Sequence, residues 1–79
     1  MLTVYSKNNC AYCVQAKSLL TSKNIPFIEV KIDEDTTARE FIVSHGHRTV
    51  PQIYEGETLF VEGGFQGLQQ KLKEELVNG

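Results

Sequence analysis

Residues 2–32 read LTVYSKNNCAYCVQAKSLLTSKNIPFIEVKI, and this stretch decides the fold. Leu2–Ser6 is short, rich in β-preferring residues, and ends in the polar run Lys7-Asn8-Asn9, which predicts a strand and then a tight loop. Between Cys10 and Lys23 the apolar positions Cys13, Ala16 and Leu20 recur at i, i+3 and i+7 with Leu19 beside them. That period predicts a helix, with Asn8 or Asn9 as its cap and Asn24 and Pro26 as its stop. Phe27–Ile32 then alternates Phe27, Glu29 and Lys31 against Ile28, Val30 and Ile32, the period of a strand. A strand, a crossover helix and a second strand form a right-handed parallel unit.

The rest of the chain extends that unit. Asp35 and Thr36 are candidate caps and Thr37-x-x-Glu40 a candidate capping box for a second helix through Ala38, Phe41, Ile42 and His45, which Gly46 is placed to end. Gln52–Tyr54 and Thr58–Val61 flank Glu55-Gly56-Glu57, a connection of hairpin length, so these strands should pair antiparallel. After Gly63-Gly64 the residues Phe65, Leu68, Leu72 and Leu76 keep helical spacing, with fraying expected at Val77–Gly79. The order is β-α-β-α-β-β-α: an α/β fold with a four-stranded mixed sheet and helices on both faces, in a single domain spanning residues 1–79. No repeat or linker interrupts it.

Composition narrows the function classes. The chain has 79 residues, 41% hydrophobic and 23% charged, a composition of soluble globular domains. A net charge of −2 with dispersed basic residues argues against a nucleic-acid partner. The N-terminus MLTVYSK lacks a signal-peptide pattern and no apolar run approaches a membrane span, so a cytoplasmic, thiol-reducing setting is expected.

The two cysteines, Cys10 and Cys13, are the only ones in the chain. Three positions apart, they close too small a loop to restrain the unfolded chain much, so a structural staple is a poor reading. Cys10 falls where the first strand gives way to the first helix, within reach of unpaired backbone N–H groups and the positive end of the helix dipole. Cys-X-X-Cys thiols at such places have pKa values lowered from ~8.5 to between ~3.5 and ~7.5. Lys7 can add a cation nearby. Cys13, one turn further in, is the more shielded thiol, which suits an attacking Cys10 and a resolving Cys13 in thiol–disulfide exchange. The same spacing also makes half of many zinc sites, and His45 and His47 complete one on paper. Their i, i+2 spacing across Gly46 does not match the usual H-x3–5-H, and they are expected instead to be a partly buried helix residue and a loop residue. No metal is expected.

Two further elements frame a site. In Thr49-Val50-Pro51 the proline sits where a strand begins, and a cis bond there would leave the Val50 backbone open to pair with an extended peptide; the residues alone leave both isomers open. In Gly63-Gly64-Phe65-Gln66 the glycines permit close backbone approach just before a helix N-terminus, a place that binds carboxylates.

Taken together, YSKNNCAYC, TVPQIY and the GGF turn before the last helix resemble the glutaredoxins, over essentially the whole chain. The resemblance implies a thioredoxin fold and an enzyme, monomeric, that reduces protein disulfides and mixed disulfides with glutathione, using glutathione as electron donor. It implies Cys10 as nucleophile and Cys13 as resolving thiol. Lys7 and Tyr12 would border the glutathione groove, with Thr49 at the same loop, and the Val50 backbone before a cis Pro51 would pair with the cysteinyl part of the tripeptide. Gly64, Phe65 and Gln66 would receive the γ-glutamyl carboxylate.

This sequence departs from the family pattern twice. Ala11 replaces the usual proline between the cysteines. Gln66-Gly67 stands where family members commonly place an Asp that grips the glutathione amino group, and glutamine cannot form that ion pair. The second departure is shared with glutaredoxin-like thioredoxins that are reduced by thioredoxin reductase and serve ribonucleotide reductase, which are the alternative. A third reading, a [2Fe–2S] carrier, fits less well, because such members more often show C-G-F-S or Ser after the first cysteine, where this chain has Ala11 and keeps a second thiol.

Overall fold

The computed structural model describes the backbone of residues 1–78 and the side chains of residues 1–73. The elements are β1 (Leu2–Ser6), α1 (Ala11–Ser22), β2 (Phe27–Lys31), α2 (Thr36–Ser44), β3 (Gln52–Glu55), β4 (Thr58–Val61) and α3 (Gly64–Asn78). The order is the expected one, with β3 running on to Glu55 and β2 ending at Lys31. Leu76 lies outside the described side chains and Gly79 outside the described backbone, and at Val77 and Asn78, where the sequence predicts fraying, α3 continues. Among the described residues no helix is long and apolar enough to cross a membrane.

The sheet order is β2-β1-β3-β4. β1 and β2 are parallel with Leu2 opposite Phe27, and β1 and β3 antiparallel with Val4 opposite Ile53. β3 and β4 form the hairpin, turning at Gly56, whose φ of +62° is a conformation glycine adopts without a Cβ clash. This is the thioredoxin fold.

Side-chain alternation divides the sheet into two unlike faces. Leu2 and Val4 of β1 and Ile53 of β3 bury against Ala16 and Leu20 of α1 and Leu68 and Leu72 of α3, in one aliphatic core with Phe27, Phe60 and Phe65 packed at its margin. Each fully buried Val, Leu or Ile among them contributes about 1.5–3 kcal/mol. Their neighbours on the strands point the other way. There Tyr5 stacks on Phe41 of α2 at 5.4 Å between ring centroids, and Tyr54 meets both rings edge-on at 5.6 and 5.1 Å. Burial raises the Tyr54 phenol above its ordinary 10.0, and its oxygen finds a partner in His47 Nε2 at 2.6 Å.

The helix ends show which sequence cues were used. α1 and α2 close alike: the amides of Asn24 and Ile25 reach the carbonyls of Thr21 and Leu20, and those of Gly46 and His47 reach Val43 and Ile42. Asn24 and Gly46 take the positive φ this closure requires, 58° and 81°. The start of α1 differs from expectation, whereas α2 uses one of its two candidate caps. α1 is capped by Cys10 itself rather than by Asn8 or Asn9. Asn9 turns the loop at a φ of 58°, and Asn8 is bound elsewhere. For α2 the cap is Asp35, whose Oδ1 accepts from the Ala38 amide at 3.0 Å, so the Thr37–Glu40 capping box is not used.

At the edge of the sheet Glu29 ties three elements together. Its Oε2 accepts a hydrogen bond from the fully buried Ser6 hydroxyl of β1 at 2.7 Å and pairs with Lys17 Nζ of α1 at 2.7 Å. The bond from Lys17, and then that from Ser6, hold its carboxyl below the ordinary 4.5.

Candidate active site

The loop from β1 to α1 delivers Cys10 to the first position outside the helix. With φ −121° and ψ 104° it is extended, and its Sγ accepts the Cys13 amide at 3.2 Å, where a capping oxygen would ordinarily sit. Cys10 and Cys13 are joined as a disulfide, with Cα atoms 5.2 Å apart. The two sulfurs are unequally placed: Cys10 is half-buried at the mouth of the loop, whereas Cys13 is 1% exposed against the core.

Asn8 anchors this loop. Its backbone amide and side-chain Nδ2 both donate to Asp33 Oδ2 at 3.0 Å, its Nδ2 also reaches Glu34 Oε2, and its Oδ1 accepts from Lys31 Nζ. The backbone bond from Asn8 is the main reason that the Asp33 carboxyl lies below its ordinary 3.8.

On the other side of the cysteines runs the segment before β3. The Val50–Pro51 bond is cis, and the Val50 carbonyl lies 3.9 Å from Cys10 Sγ. Two side chains brace the segment: the His47 bond to Tyr54, and Gln52 Nε2 donating to the Thr49 carbonyl at 2.9 Å. Gly64 packs against it so closely that a Cβ would stand 3.0 Å from the Pro51 carbonyl.

Of the eight residues expected to form the groove, seven line one cavity of about 380 Å³: Tyr12, Thr49, Val50, Pro51, Gly64, Phe65 and Gln66. The Tyr12 and Phe65 rings stand 6.1 Å apart across it. Lys7 is separate. It lines an adjoining cavity of about 310 Å³ that shares Thr49 and Val50 with the first.

The cavity also takes in residues that the sequence did not assign to the groove, Glu62, His47 and Gln52 among them. Glu62, immediately before the Gly63-Gly64 motif, is the one carboxylate in its wall among the described residues. The turn leaves Gly67 no room for a side chain. The Gly67 amide bonds to the Gly63 carbonyl at 3.2 Å, and a Cβ on Gly67 would collide with the Glu62 carbonyl. No side chain fits at position 67 without moving that turn.

His45 is placed differently from expectation, while His47 is the loop residue expected. His45 is exposed, its Nδ1 2.8 Å from the Phe41 carbonyl at the end of its own helix, while the loop residue His47 is the half-buried one. The exposed His45 ring lies tilted over Phe41 at 4.2 Å, whereas His47 is hydrogen-bonded to the buried Tyr54. Among the described residues no group of three or more His, Cys, Asp or Glu gathers as a metal site.

The family model for glutaredoxin matches residues 2–60. A probable glutaredoxin from Synechocystis sp. is 45% identical over 53 residues, which are 65% of this chain and 49% of that protein, so the chain spans about half the length of that relative. The glutaredoxin-like protein NrdH of Lactococcus lactis subsp. cremoris is 40% identical over 60 residues, 76% of this chain and 83% of that one. Among solved structures, glutaredoxin 1 from Francisella tularensis complexed with cacodylate superposes with a TM-score of 0.74 at 30% identity, covering 95% of this chain and 94% of the other. Sequence, fold and the placement of the paired cysteines agree: the chain belongs to the glutaredoxin family.

Proposed function

We propose that the chain is a glutathione-dependent thiol–disulfide oxidoreductase working through Cys10 and Cys13. The observation that carries this reading is the capping of α1 by Cys10 sulfur. In the reduced protein the same amide, with the helix dipole behind it, stabilises a Cys10 thiolate. That thiolate attacks one sulfur of a substrate disulfide, which breaks and releases the other sulfur as a thiol, leaving a mixed disulfide on Cys10. Cys13 then attacks the Cys10 sulfur, the substrate leaves as its second thiol, and the Cys10–Cys13 disulfide remains. Two glutathione molecules reverse it. The thiolate of the first opens the pair and stays bound to Cys10, and the second removes it as oxidised glutathione.

The groove supports glutathione as donor. An extended cysteinyl residue beside Cys10 can pair with the Val50 backbone, the N-terminus of α3 at Gly64–Gln66 suits the γ-glutamyl carboxylate, and Glu62 offers a carboxylate to the neighbouring ammonium. Lys7, in the adjoining cavity, is left for the far end of the tripeptide. Disulfide-containing proteins in a thiol-reducing compartment are the substrates.

One observation favours a second reading, in which thioredoxin reductase is the donor and ribonucleotide reductase the client. The backbone packing at Gly67 closes the position from which an acid would grip the amino group. The donor assay separates the two. Oxidised protein should be reduced by millimolar glutathione; rapid reduction by NADPH and thioredoxin reductase, with none by glutathione, would transfer the assignment to the second reading.

A further inference from the structure

The cavity that holds Lys7 is chemically unlike the groove beside it. Lys7, Arg39 of α2 and Arg48 bring three cations to its wall, over apolar side chains that include Ile32 and the exposed Val43. None of these three cationic side chains has a hydrogen bond, ion pair or ring contact among the described residues. The acid in the same wall, Asp33, is already committed to Asn8 through its Oδ2. A chain whose net charge is −2 thus concentrates unpaired positive charge in one concave place. Its position is also specific. Thr49 and Val50 form the wall between this cleft and the groove, and the Val50 carbonyl lies 3.9 Å from Cys10 Sγ.

We propose that this cleft docks an acidic segment of the protein whose disulfide is reduced, lying next to the attacked cysteine in that protein's sequence. A peptide whose sulfur meets Cys10 passes Val50, and within a few extended residues, at about 3.3 Å each, its side chains reach the cleft. Carboxylates there meet Arg39 and Arg48, whose planar guanidinium groups hold carboxylates in a two-point geometry. Apolar side chains between them cover Val43. The far carboxylate of glutathione is a single charge and leaves the two arginines unmet. A protein segment carrying several carboxylates matches all three cations. Because such charges lie at the surface, they act mostly on the rate of encounter and on the choice among disulfides.

This inference rests on the exchange chemistry proposed for Cys10 and not on the donor, so its test needs no donor. Reduced protein is mixed in single turnover with two oxidised peptides that share one disulfide loop, flanked by glutamates in one and by glutamines in the other. The glutamate peptide should react about tenfold faster at low ionic strength, and the advantage should vanish near ~1 M salt. In the Arg39→Glu/Arg48→Glu variant, and more mildly in Arg39→Gln/Arg48→Gln, the preference should disappear while the glutamine peptide keeps its rate. Equal rates for the two peptides on the unmodified protein, or a preference surviving in both variants, would overturn the proposal. So would equal slowing of both peptides, which marks damage to the cysteine loop. A protein that reduced neither peptide would take the exchange reading down with it, whereas one that reduced both alike would leave that reading standing.

Discussion

The two cavities that share the Thr49–Val50 wall are built in opposite ways. The groove is shaped by main chain: Gly63 and Gly64 at φ of +91° and +59°, the Gly64 backbone against the Pro51 carbonyl, and Gly67 against the Glu62 carbonyl. The cleft is defined by Lys7, Arg39 and Arg48, long side chains that make no hydrogen bond or ion pair among the described residues. A wall of backbone reads what all peptides have in common and admits few replacements. A wall of free charges reads what distinguishes one peptide from another, and it can change without disturbing the fold.

The largest expected effect bears on what both cavities serve. Cys10→Ser should abolish exchange with every substrate, whereas Cys13→Ser should spare reactions on glutathione mixed disulfides and lose those that need two thiols; equal damage from both would contradict the assigned roles. Next comes the claim that backbone builds the groove. Gly67→Asp forces a side chain into the Glu62 carbonyl and should destabilise the protein by about 3 kcal/mol, roughly 15 °C in melting temperature for a domain of this size. An unchanged melting temperature would show the turn to be soft, and the contrast with the cleft would weaken. Smaller again is Glu62→Gln, which should raise the KM for glutathione about threefold with kcat unchanged, as loss of one exposed ion pair would. If KM stays put, the groove is read by backbone alone.

The smallest effect tests whether the scaffold is common to both cavities. Glu29, bound by Lys17 and Ser6, has a lowered pKa, so its contribution to stability is complete above pH ~4.5 and is lost as pH falls through the folded-state value. After solvent screening it is at most about 1 kcal/mol. Melting temperatures measured from pH 6 to pH 3 should fall more for the native protein than for Glu29→Gln; parallel curves would remove Glu29 from the account.

Where local pattern and final structure obey the same rule, the sequence was readable. Helix period, strand period and the two helix-ending residues Asn24 and Gly46 depend on near neighbours, and all seven elements followed from them. Seven of the eight groove residues meet in one cavity for a related reason, since the TVP and GGF motifs sit at element ends that this topology brings together. What escaped depends on distant partners. Asn8 is a good cap on paper, but Asp33 and Glu34, which lie beyond β2, claim it. His47 turns inward because Tyr54 offers a phenol oxygen there. Glu62 enters the groove only because the chain reverses at Gly63. Nothing within a few residues of Asn8 or His47 carries that information.

The tether at Asn8 has a consequence for motion. Asn8 is exposed, as are Lys7 and Asn9 on either side of it, so its amide would ordinarily exchange with solvent deuterium as fast as in an open coil. Its hydrogen, however, is held by Asp33 Oδ2, so exchange there must wait for the loop to lift from the β2–α2 turn. In deuterium-exchange traces Asn8 should stand out as a slow amide in a fast neighbourhood, and its rate would report directly how often the cysteine loop opens.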